Sequence, residues 1–211
     1  MGVSAGPSVR DAARAIFAFF RDRSPAWTAG ALALGAIVLY LCVPFPGEHK
    51  WDALMTASAL ARPHMVDARA LFFFAHPLVI PLTYPFVWIA PDALAATELR
   101  EIVFGGVVVA LVFLGVRGTT GSRIAGLLAA LAMVLANFRW RLCTLGEEKE
   151  IALAFGGAFM LLYLDHAGGL SLGIASWRAR SPRVRKIVLA VLLGCAFAVH
   201  LVNGVLFLVL A

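Results

Sequence analysis

The chain has 211 residues, of which 62% are hydrophobic and 14% charged, and its mean hydropathy is +0.89. A soluble domain is about half apolar and a quarter charged, so this composition excludes an ordinary soluble globule and predicts an integral membrane protein. The net charge is +6, but the basic residues flank apolar runs. They read as topology signals rather than a nucleic-acid surface.

In chain order, Val9–Arg23 comes first and sets Ala13, Ile16, Phe17, Phe19 and Phe20 among four arginines. That pattern predicts an amphipathic segment, residues 1–25, lying along the cytoplasmic surface. No cleavable signal is expected ahead of the first span, about Trp27 to Phe45. Residues 26–211 then read as one transmembrane domain. A long external loop, 47–101, opens "GEHKWD" and continues into Ala53–Ala61, a good helix-forming run led by Asp52.

"LFFFAHPLVIPLTYPF", Leu71 to Phe86, is uncharged yet holds His76 and three prolines, Pro77, Pro81 and Pro85. A proline inside a helix costs about 3 kcal/mol. Two in succession predict an interfacial or re-entrant helix rather than a span. Apolar runs follow at Ile102–Val116 and Ile124–Phe138, joined by the short turn "RGTTGSR". A second external loop, 139–150, reads "RWRLCTLGEEKE". After Ile151–Leu164 comes the basic loop with "WRARSPRVRK", then a last span from Ile187 to Ala211. The middle runs are shorter than the roughly 20 residues a bilayer core requires, so they must borrow their flanks. Trp27, Trp140 and Trp177 fall at span edges, where interface aromatics belong. "GGVVV" and "AFGGAF" supply small residues for close helix packing.

Loop charges arbitrate the topology. If the proline segment crosses, there are six spans, with eight Lys/Arg in cytoplasmic loops and ten outside. If it does not, there are five, with eleven inside and seven outside. Only the second count obeys the positive-inside rule. The expected fold is therefore an all-α, polytopic membrane bundle of about five spans plus an interfacial proline-containing helix, or six spans if that segment crosses. The expected location is a bacterial inner membrane, with the N-terminus in the cytoplasm.

Candidate chemistry sits in the two external loops. Glu48, His49, Lys50 and Asp52 read either as solvated loop residues with a capping Asp, or as carboxylates for acid/base work or metal binding. Glu147, Glu148 and Glu150 precede an apolar helix, where acids are favoured at the positive end of the dipole. Three acids in four residues exceed what capping requires. Arg139 and Arg141 can balance them or bind a phosphate. His200 and Asn203 lie one turn apart in the last span, where an interhelical hydrogen bond is the commoner role. The three cysteines show neither metal spacing nor a disulfide framework.

This arrangement resembles the N-terminal membrane part of a GT-C superfamily glycosyltransferase of the protein mannosyltransferase and aminoarabinose transferase type. In those enzymes an external loop with an acidic motif follows the first span. A membrane-parallel helix opening "HPPL" comes next, then a hairpin with a basic cytoplasmic turn and a second acidic loop. Here Glu48 or Asp52 matches the first acid, and "HPLVIPL" from His76 resembles the HPPL helix. "RGTTGSR" resembles the basic turn, and "RWRLCTLGEEKEIALAF" offers Glu148 or Glu150 as the second acid. "VLLGCAFAVHLVNGVLFLVLA" is similar to a later "GxAxxxKxxxxxxLP" span, with His200 near its basic residue. The usual paired DE is absent, HPPL is shortened to HPL, and the second acid stands in a cluster.

The resemblance implies sugar transfer from a polyprenyl-phosphate donor to an acceptor on the external face. Glu48, Asp52, Glu148 and Glu150 are then the catalytic candidates, one of them the general base. His76, Arg139, Arg141, Glu147 and His200 are the substrate-binding candidates. Asp52 and Glu148 are the candidate ligands of a divalent cation, Mg²⁺ or Mn²⁺, which some members use. The expected partners are membrane lipid and the polyprenyl-phosphate sugar, with no nucleic acid. A non-catalytic scaffold or accessory subunit is the first alternative. A transporter fragment, which requires six spans, is the second.

Overall fold

The computed structural model describes residues 18–20, 23–43, 54, 56–58, 60, 78–136 and 149–199. Among them the chain is all-helical, without a strand. The helices are α1 (Pro25–Cys42), α2 (Val79–Val87), α3 (Ala93–Thr120), α4 (Arg123–Leu135), α5 (Lys149–His166), the single turn α6 (Ala175–Arg178) and α7 (Pro182–Val199). The described residues of the 53–61 run, Leu54, Thr56–Ser58 and Leu60, are helical as their composition predicts. Ala18–Phe20 are helical too, and the rest of the predicted N-terminal amphipathic stretch lies largely outside the described residues.

Local signals fix the helix ends. Ser24 Oγ accepts from the Trp27 N–H at 3.2 Å, and Pro25 occupies a first-turn position that has no use for an amide proton. Asp92 Oδ1 accepts from the Ala95 N–H at 2.8 Å, so α3 begins at Ala93, ahead of the charge-free run that starts at Ile102. Gly121 ends α3 in the left-handed conformation at φ 69°, which glycine adopts without a steric penalty. Ser122 then caps α4 through the Ala125 N–H at 3.2 Å. "RGTTGSR" is thus a two-residue turn between helices.

Helix α3 is the central element, with α1, α4, α5 and α2 packed on it, and α7 packs on α5. Gly106 of "GGVVV" lets α1 come close. A Cβ there would lie 2.6 Å from Ile37 Cγ1 and 2.7 Å from the Ala33 carbonyl. Gly157 of "AFGGAF" meets Leu111 in ordinary contact across the α3–α5 interface. The core joins Ala36 and Tyr40 of α1 with Val109 and Phe113 of α3 and Ala130 and Val134 of α4.

Contacts give the helix directions. Glu101 meets Glu150 and Gly115 meets Leu161, so α3 and α5 run parallel. Val199 packs with Ile151 while Leu189 packs with Phe159, so α7 runs against α5. One end of the bundle therefore gathers the starts of α3 and α5 with the end of α7. The other gathers the α3–α4 turn, the end of α5 and the start of α7.

That second end is basic. Arg123 donates to the Phe20 and Arg23 carbonyls, and Arg117 Nη1 donates to the Leu172 carbonyl at 3.0 Å. Arg23 stacks on the rings of Phe19 and Trp27. Trp177, placed by its sequence position among the span-edge aromatics, turns its ring inward. It is 7% exposed, packed between α5 and α7 against Phe159 and Leu189. The turn of α6 folds its ring back into the bundle.

Helices α1 and α3 are long and apolar enough to cross a membrane. The bundle's exterior carries exposed aliphatic side chains, among them Leu34 and Val38 on α1, Leu128 and Leu131 on α4 and Val191 on α7.

Candidate functional site

Of the proline segment, residues 78–86 are described, and they pack at one end of the bundle. Its helix, α2, has nine residues, about 14 Å at 1.5 Å per residue. Pro81 falls in the first turn, where amide protons lack helical partners anyway, and only Pro85 is interior. At the front of α2 the Leu78 N–H donates to the Ala198 carbonyl at 3.4 Å, and Val79 packs with Ile151, Ala152 and Val199. At its back, residues 88–92 lead directly into α3. Both ends of α2 thus stay at the same end of the bundle. Its outer surface exposes Tyr84, Val87, Trp88 and Ile89, with Trp88 86% accessible.

Beneath α2 lies a closed polar cluster. Arg100, Glu101, Glu150, Thr83 and Thr97 are all 0% exposed. Arg100 Nε donates to Glu101 Oε1 at 2.9 Å, and Arg100 Nη1 donates to Thr83 Oγ1 at 2.7 Å. Thr83 Oγ1 passes its own proton to the Val79 carbonyl at 2.7 Å. The other oxygen of Glu101, Oε2, accepts from the Glu150 backbone N–H at 3.0 Å. One guanidinium therefore ties α2 to α3, and one carboxylate ties α3 to the first turn of α5.

Each bond answers a local need. The first amides of α5 have no helical acceptor, and an anion at that end is favoured by the dipole, so Glu101 acts as a cap supplied by another helix. A buried guanidinium needs a carboxylate close by, which adjacent Glu101 provides. Glu150 brings a second carboxyl, near enough for its charge to act on Glu101.

Of the residues singled out from sequence, Glu150 belongs to this cluster. Glu48, Asp52, His76, Arg139, Arg141, Glu147, Glu148 and His200 lie outside the described residues. So do both candidate metal ligands, Asp52 and Glu148. Among the described residues no group of three His, Cys, Asp or Glu is placed to hold a metal ion.

Sequence reasoning passed over Thr83, Arg100 and Glu101, the last two being counted as loop charges. A signal was present. Thr97, Arg100 and Glu101 stand at i, i+3 and i+4, the spacing of one helix face. Asp92 marks the helix start that makes this spacing meaningful. No family model, curated protein or solved structure matches the chain.

Proposed function

We propose that the chain is the membrane part of a glycosyltransferase of the GT-C type, with five spans, moving a sugar from a polyprenyl-phosphate donor to an acceptor on the external face. The observation that carries the reading is α2. A short proline-containing helix packs at the bundle end where α3 and α5 begin, clipped by Thr83, Arg100 and Glu101. A helix between the first external loop and the second span is what the resemblance implies, and α2 supports that reading. The exposed Trp88, Ile89 and Tyr84 suit a helix lying in the headgroup region, where amphipathic rings are favoured. The gathering of Arg23, Arg117, Arg123 and the 178–186 cluster at the opposite end suits a cytoplasmic face there.

In this reading Glu101 and Glu150 position rather than react, since both are sealed from solvent. They anchor the first turn of α5, directly after Glu147 and Glu148 in the chain. The general base is one of Glu48, Asp52 and Glu148, taking the proton of the acceptor hydroxyl. His76, Arg139 and Arg141, with His200, meet the donor phosphate and sugar. A divalent cation on Asp52 and Glu148 is part of the proposal, which chelation tests.

Transfer from a polyprenyl-phosphate sugar, assayed in proteoliposomes, should fall about 10²–10⁴-fold when the base is replaced, by Glu48→Gln, Asp52→Asn or Glu148→Gln. Cysteine labelling at positions 50, 120, 147 and 180 tests the topology. Labelling of 50 and 147 from opposite sides would end the enzyme reading.

The complete burial of Glu101 and Glu150 favours a second reading, in which the cluster only fixes α2 and the chain is an accessory membrane subunit. Wild-type transfer activity with all three base candidates replaced would select it.

A further inference from the structure

We propose that the basic end of the bundle binds the headgroup of an anionic phospholipid, seated on Arg183 and Lys186 at the start of α7. The proposal goes beyond sugar transfer and rests only on the membrane part of that reading, because it concerns the opposite end of the molecule.

Arg183 and Lys186 are exposed and one helical turn apart. With Pro182, Ile187 and Ala190 they line an open groove of about 470 Å³ along the outside of α7. The groove is ordered along the helix, with cations at its mouth and aliphatic surface one turn further in. Exposed Val191 extends that surface toward the middle of the bundle. A phospholipid is ordered the same way, phosphate first and acyl chain behind it. A soluble phosphate ion would leave Ile187 and Ala190 unused.

Charge selects the headgroup. Among the described residues the acid at this end, Asp165, is committed elsewhere. Its Oδ1 accepts from the Leu172 N–H at 2.9 Å and pairs with Arg178 at 3.5 Å. Arg178 also donates to Ser171 Oγ. Among the described residues no carboxylate pairs with Arg183 or Lys186. Arg185 lies on the inward side of α7 and is half-buried. Among the described residues the groove therefore presents two cations without a carboxylate partner, which favours an anionic over a zwitterionic lipid.

The test uses the full chain in nanodiscs of phosphatidylcholine with and without phosphatidylglycerol, followed by native mass spectrometry of retained lipid and by thermal unfolding. Wild type should retain phosphatidylglycerol preferentially and unfold at a higher temperature in its presence. Arg183→Gln with Lys186→Gln should lower that retention about tenfold or more and abolish the shift, while unfolding normally in phosphatidylcholine alone. A matched double variant, Arg178→Gln with Arg180→Gln, removes the same charge outside the groove and should keep both effects. Equal loss in the two double variants would overturn the proposal in favour of a diffuse basic field. So would equal retention of the two lipids by wild type, or displacement of the lipid by inorganic phosphate.

Discussion

The two ends of the bundle treat charge in opposite ways. Under α2 one arginine and two glutamates are sealed at 0% exposure, and Arg100 and Glu101 bond to groups on three helices. At the other end Arg178, Arg180, Arg183 and Lys186 stand in the open, and the Arg178 side chain is 53% exposed even within its ion pair. Buried charge fixes geometry, because each group left alone would pay a large desolvation penalty. Exposed charge fixes little and stays available to a ligand.

Substitutions can break this contrast, beginning at the buried end. Arg100→Leu strands Glu101 in an apolar pocket and should destabilise the chain by about 3–5 kcal/mol, measured by denaturant unfolding in detergent micelles. Glu101→Gln keeps the shape but removes the anion from both Arg100 and the first turn of α5. About 1–3 kcal/mol should be lost. Thr83→Val deletes the bond from Arg100 Nη1 together with the hydroxyl's own bond to the Val79 carbonyl, and should cost about 1–3 kcal/mol. Hydrogen exchange should show that loss concentrated in residues 79–87, as α2 loosens from α3. Arg178→Gln, at the exposed end, should cost less than about 1 kcal/mol, an effect that added salt also removes. A cost for Arg178→Gln as large as that for Arg100→Leu would erase the distinction between the ends.

Much of the helical layout was legible in the sequence, because it rests on short-range chemistry. Asp92, Ser24 and the Gly121–Ser122 pair set helix limits within a few residues of themselves. The prolines predict an interfacial or re-entrant helix over Leu71–Phe86; the described part of that segment begins at residue 78, and α2 is nine residues long with Pro85 inside it. The site was less legible. Arg100 and Glu101 look like loop charges when spans are read as charge-free runs, and only the neighbouring α2 and α5 make their burial possible. The burial of the Trp177 ring was not legible for a similar reason, since the turn of α6 that carries it inward depends on packing between α5 and α7. Glu150 was recognised as an acid before an apolar helix, but its backbone, rather than its carboxyl, makes the bond to Glu101.

That bond has a consequence for assembly. The acceptor for the first turn of α5 lies 49 residues earlier in the chain, on a helix synthesised long before α5 exists. The Glu101 carboxylate therefore links the axial position of α5 to that of α3. During synthesis, α3 and its hairpin partner α4 can settle first from their own caps. Docking of α5 against α3 brings the Glu150 amide to Glu101, whose other oxygen holds the Arg100 that reaches Thr83 on α2.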